Sequence, residues 1–181
     1  MIELVRADIV LANKFATVRN DEVRFGNGSH GRHLRISPAQ ENGEGVCNLP
    51  VYDGKIAMVE TFRYPIGSWQ WALPRGFGHG SGSLASAKAE LDEELGITDA
   101  EFEEIGRVNP DSGLLASTVP VFLVRPKRPE LRPKDKVEVR EAQWFSGGEV
   151  TAMVGSGALS DSFTLSALMI ATTRGAISLA D

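Results

Sequence analysis

Residues 84–95, LASAKAELDEEL, constrain this chain more than any other stretch. Alanine, leucine, lysine and glutamate dominate it, and all four are good helix formers. Ser83 stands where an N-cap is expected, and Gly96 where a left-handed residue closes a helix. Leu84, Leu91 and Leu95 fall on one stripe, which predicts a helix laid on a sheet. Glu90, Glu93 and Glu94 share another face, spanning about 100°. No lysine or arginine stands three or four residues from any of them. Like charges crowded this way cost a few tenths of a kcal/mol per pair. Two readings follow. The face is a solvated acidic surface, or it is a cation site. Oxygen-only ligands with few fixed positions suit Mg²⁺ or Mn²⁺.

The rest of the chain places that helix in an α+β pattern. Residues 1–62 read as strands, with IELVRADIVL, FATVRNDEVRF, RHLRIS and GVCNLPVY rich in alternating or β-branched apolar residues. Turn chemistry separates them at Asn20-Asp21, at residues 26–29 and at residues 41–43. Asp53-Gly54 marks a tight hairpin. Further strands are expected near 102–109, 118–124 and 136–145, and a helix near 161–174 capped by Ser160 or Asp161 and ended by Gly175. RPKRPELRPKD reads as an exposed basic loop. No repeat or linker divides the chain, so one domain spanning residues 1–181 is expected. Strands first, then a helix, strands and a helix is not a regular βαβ alternation.

Composition narrows the function. Nineteen basic and 24 acidic residues leave a net charge of −5. That balance disfavours general binding to nucleic acid or an anionic membrane. An anionic small molecule requires a local cation, either a metal or placed arginines. The single cysteine, Cys47, excludes an internal disulfide framework and fits a reducing, cytoplasmic setting. The first 15 residues carry Glu3, Arg6 and Asp8 and lack an uninterrupted apolar run of the signal-peptide kind.

The string Ala89-Glu90-Leu91-Asp92-Glu93-Glu94-Leu95-Gly96-Ile97, behind a glycine-rich loop and Trp71-Ala72-Leu73-Pro74-Arg75-Gly76, resembles the Nudix hydrolase family. The family's box reads G-x5-E-x7-R-E-U-x-E-E-x-G-U, where U is a bulky aliphatic. The E-U-x-E-E-x-G-U half matches throughout. The other half departs from it. Ala89 replaces the family arginine, Ser81 takes the place of the loop glutamate, and Ala72 that of an upstream glutamate. Gly76 resembles the first box glycine but lies one residue too close to the helix. The resemblance implies a mixed sheet between helices, an α/β/α sandwich, with Mg²⁺ or Mn²⁺ held by Glu90, Glu93 and Glu94. The missing arginine is understood to orient those glutamates.

Other strings resemble the ADP-ribose pyrophosphatase-like branch. They are Val59-Glu60-Thr61-Phe62-Arg63-Tyr64-Pro65, Asn109-Pro110-Asp111-Ser112-Gly113, and the closing segment from Gly157 through Asp161 and Thr164 to Leu165. In that branch an extra N-terminal sheet, here residues 1–43, builds a homodimer on a core, here residues 44–181. Arg63 is suited to bidentate phosphate contact, or it is a surface arginine over an aromatic ring. Trp69 and Trp71 are suited to stacking a base, or to core packing. Asp111, Ser112 and Gly113 can present polar groups to a ribose or phosphate, or form an ordinary turn. A loop acid after the box is the expected general base. Asp135 sits in such a loop, whereas Glu138 and Glu141 read as strand residues facing solvent.

The resemblance implies a metal-dependent hydrolase of a nucleoside diphosphate linked to another moiety, such as ADP-ribose or a nucleotide sugar. The departures at Ala72, Ser81 and Ala89 leave a rival open, a nucleotide-binding or regulatory protein without catalysis. A hydrolase of a different nucleotide is a third reading.

Overall fold

The computed structural model describes residues 1–39, 45–77 and 82–180. The turn expected at residues 41–43, the loop position Ser81 and the boundary near residue 43 lie outside the described residues. Among the described residues, no helix is long and apolar enough to cross a membrane.

The N-terminal strands form their own antiparallel sheet. Its spine is β3 (Ala16–Arg24), with β4 (His30–Pro38) along one edge. The other edge is shared by β1 (Glu3–Arg6) and β2 (Ile9–Ala12). Buried Asp21 fixes the break between them. It accepts the Asp8 N–H at 3.1 Å and pairs with Arg35 at 2.9 Å. Leu4, Val5, Ile9, Val10 and Leu11 are all about half exposed or more.

The second sheet runs β11 (Val139–Phe145), β6 (Lys55–Arg63), β5 (Val46–Tyr52), β10 (Val119–Pro126), β9 (Ala100–Val108). β5 and β10 are parallel and the other neighbours antiparallel, so the sheet is mixed. The Asp53-Gly54 turn has positive φ at both residues, as the hairpin signal predicts. Strand alternation then sorts the core into two layers. Cys47, Leu49, Ile56, Met58, Val121 and Leu123 point to one face. Val46, Ala57, Val59, Phe122 and Val124 point to the other. α3 (Ser162–Thr173) covers the first face through Ala167, Leu168 and Ala171. α1 (Ser83–Leu95) covers the second through Ala87, Leu91 and Leu95. The result is the expected α+β sandwich with an extra N-terminal sheet.

Several local expectations change. Leu84 is 45% exposed, and Ala87 takes its place on the buried stripe of α1. Ser83 is the first helical residue rather than the cap. Gly82 caps the helix without a side-chain bond, because its φ of 93° suits glycine. α2 (Gly147–Ser156) went unread, although Ser146 and Glu149 form a full capping box at its start. The basic loop does not float free. Arg132 donates its N–H to Leu95 O at 2.7 Å, and Lys134 and Asp135 donate theirs to Glu93 O, satisfying carbonyls at the end of α1. Gly96 is required there: a Cβ would sit 2.2 Å from Arg132 O.

β5 and β6 separate beyond their hairpin. Into the gap come β7 (Ser68–Ala72), paired with β6, and the short β8 (Arg75–Gly76), paired with β5. Residues 73–76 therefore cross the middle of the sheet beside α1.

Candidate active site

Asn48 ties this crossing to the helix. Its main-chain N–H donates to Pro74 O and its side-chain amide to Ala87 O, both at 2.9 Å. The crossing then meets two glutamates from α1. The Arg75 N–H donates to Glu94 Oε2 at 3.2 Å. Gly76 lies against Glu90, where a Cβ would come within 2.2 Å of the carboxyl carbon and both oxygens. Only glycine allows that approach with Glu90 where it stands.

Glu90 and Glu94 are both buried, while Glu93 is exposed. Burial, and next the Glu90 charge, push the Glu94 carboxyl up to about 8. All three line one cleft of about 630 Å³. Arg63, at the end of β6, lines it too and lowers the Glu94 value electrostatically. Burial and the neighbouring Arg75 lower the Arg63 pKa in turn. The buried Nε of Arg63 finds no hydrogen-bond partner among the described residues. A guanidinium beside two buried carboxylates in one cleft suits an anionic ligand that also brings positive charge.

The donor chemistry fits a hard divalent cation. Two buried carboxylates, one of them strongly disfavoured as an anion, gain most from such an ion. Among the described residues, no three His, Cys, Asp or Glu side chains gather closely enough to enclose a metal. A hard divalent ion can be held by one or two carboxylates, with water and substrate phosphate completing its shell.

The remaining expected residues divide between the cleft and elsewhere. Asp135 lines the cleft, but its Oδ1 accepts the N–H groups of Val137 and Glu138 at 2.8 and 3.0 Å. This turn carries Glu138 into the cleft, in electrostatic reach of Glu94 and Arg63. Glu138 thus lies in the turn before β11, not on the strand, as its sequence context had suggested. Trp71 packs edge-on against Phe145 at 4.9 Å in the core. Trp69 packs edge-on against Phe62 at 5.6 Å and lies under Arg140 at 4.1 Å. Neither tryptophan lines the cleft. Asp111, Ser112 and Gly113 form an exposed turn in which Asp111 Oδ1 accepts the Gly113 N–H at 3.0 Å. Their neighbours Pro110, Leu115 and Ser117 line the cleft instead.

Sequence reasoning missed the aromatic wall. Phe15 from the N-terminal sheet, Phe77 after β8 and Phe163 on α3 all line the cleft, together with Ile36 and Leu115. The N-terminal sheet reaches the site because Ile36 and Leu115 form a parallel bridge, with Ile36 N–H to Leu114 O at 2.9 Å. A phenylalanine leaves no polar signature in a sequence, and only the bridge shows that Phe15 belongs here.

Fold and cleft together define an α+β protein that gathers acids and arginines in one cleft. A family model described as NUDIX domain matches residues 41–161, so the chain belongs to the NUDIX domain family, the Nudix hydrolases. A solved structure described as "Crystal structure of ADP compounds hydrolase" is similar in fold. The TM-score is 0.78, with 96% of this chain and 93% of that chain covered at 18% identity. No curated protein matches the chain.

Proposed function

We propose that the protein is a divalent-cation-dependent hydrolase of a nucleoside diphosphate joined to a second group, such as ADP-ribose or a nucleotide sugar. One observation carries the reading: buried Glu90 and Glu94 line a single cleft together with Arg63. Glu90 and Glu94 would hold Mg²⁺ or Mn²⁺, with Glu93 on the exposed side of the same cleft. When bound, the ion neutralises pyrophosphate charge and acidifies a water. Arg63 lines the same cleft and would bind a phosphate, which its planar donors suit. The base rests on the apolar wall of Phe15, Phe77, Ile36 and Leu115, a role the tryptophans are too far displaced to take. Glu138 receives a proton from the attacking water, since Asp135 is held in its own turn through Oδ1. The bond from phosphorus to the bridging oxygen breaks, and a nucleoside monophosphate leaves with a phosphorylated remainder.

The N-terminal apolar strands, exposed here, favour a homodimer built partly by residues 1–43. The buried lone Cys47 favours a reducing cytoplasm. A second reading, nucleotide binding without turnover, draws on one observation: the position before Glu90 is Ala89, whose side chain cannot orient a carboxylate. A panel of nucleoside diphosphate compounds separates the two. Monophosphate release with Mg²⁺ or Mn²⁺ that EDTA abolishes supports the hydrolase. Binding without release supports the alternative.

A further inference from the structure

Asp161 is 5% exposed, lies outside the cleft lining and makes two kinds of contact. Its Oδ2 accepts from the Thr164 N–H at 2.9 Å and the Thr164 hydroxyl at 2.8 Å, the ordinary cap of α3. An asparagine caps a helix about as well. The cap therefore does not account for a buried charge. The second contact does. Asp161 Oδ1 accepts from the Arg75 guanidinium at 3.0 Å, and that guanidinium also stacks on Phe163 at 4.6 Å. The Thr164 hydroxyl meanwhile accepts the Leu73 N–H at 2.9 Å. The first turn of α3 thus grips residues 73–76 at two points. Those same residues hold both buried glutamates, Arg75 through its N–H and Gly76 by its close approach to Glu90.

We propose that Asp161 is a positioning residue: through Arg75 it fixes the crossing segment, and so the placement of Glu94 and Glu90, without touching substrate. This rests on the reading of the glutamates as the reacting site. Misplacement of about 1 Å at a reacting centre can cost on the order of 100-fold in rate. Substrate affinity rests on Arg63, Phe15, Phe77, Ile36 and Leu115, with none of which Asp161 shares a hydrogen bond or ion pair. Loss of Asp161 should accordingly fall on kcat and spare KM.

The test uses the full chain with Asp161→Asn, Arg75→Met and the pair combined. Asp161→Asn keeps the cap and is expected to leave the melting midpoint within about 4 °C of the parent. It should lower kcat about tenfold or more, with KM within about threefold. Arg75→Met should lower kcat to the same extent, although Arg75 also lines the cleft, and the combined variant should lose little more in kcat, because both act through one contact. Amide hydrogen exchange gives a readout independent of turnover. Arg75 and Gly76 amides should exchange about tenfold faster in Asp161→Asn, with the α3 amides unchanged. Unchanged kcat, a loss confined to KM, additive losses, or unchanged Arg75 exchange would each overturn the proposal. If the parent itself hydrolyses nothing, the hydrolase reading fails, and the exchange measurement still decides whether Asp161 holds the segment.

Discussion

Gly76→Ala isolates geometry from folding. The added Cβ would lie 2.2 Å from the Glu90 carboxyl group, whereas ordinary contact begins at 3.4 Å. The carboxylate must therefore retreat by about 1 Å, a distance that can cost on the order of 100-fold in rate. The backbone has no such problem, since Gly76 does not have a positive φ. Glu90 moves only the end of a flexible side chain, at a cost of about 1 kcal/mol. Part of that is offset by the lower entropy of an unfolded alanine. Calorimetry should place the midpoint within about 4 °C of the parent. Steady-state hydrolysis of ADP-ribose should show kcat down about 100-fold. A kcat within about threefold of the parent would mean that the position of Glu90 does not matter. A midpoint lower by more than about 10 °C would mean that the backbone, not the carboxylate, had given way.

Three further outcomes are expected. The Glu94 carboxyl is raised from 4.5 to about 8, so the folded chain holds a proton that the unfolded chain releases across that window. Without divalent cation, stability should fall as pH rises from 4.5 to 8, by on the order of a few kcal/mol, and Glu94→Gln should flatten the slope; equal slopes in both would remove the charge argument. Light scattering at tens of micromolar should give twice the chain mass, since a ~µM dimer persists there, and a monomer would refute the role of residues 1–43. Ala89→Arg puts a guanidinium one turn before Glu93 and should raise turnover measurably. Turnover at background in both chains would favour the binding-only reading.

The sequence showed α1 and its acids because helix period, composition and a cap glycine all coincide in one short window. Apolar alternation likewise marked the N-terminal strands, the family resemblance implied the layered sandwich, and Asp53-Gly54 marked its hairpin. What stayed illegible depends on long-range contact. The arrest of residues 73–76 between β5, α1 and α3 joins positions far apart in the chain. Nothing in the string around Asp161 distinguishes a helix cap from a clamp on Arg75. Tryptophans attract attention as stacking residues, yet Trp71 is needed in the core, and the phenylalanines took the cleft wall. Glu138 reads as a strand residue because the Asp135 turn, made by two side-chain-to-backbone bonds, leaves little trace in residue type.

The most direct measurement is the rate of AMP release from ADP-ribose by the parent and by Glu94→Gln, each with Mg²⁺ or Mn²⁺ and with EDTA. The substitution removes an ionisable carboxyl from the cleft and keeps an acceptor for the Arg75 N–H. The parent should release AMP only with the cation, and Glu94→Gln should be slower by about 100-fold or more. Equal rates in parent and variant, or release that persists in EDTA, would contradict the assignment of the reaction to this cleft.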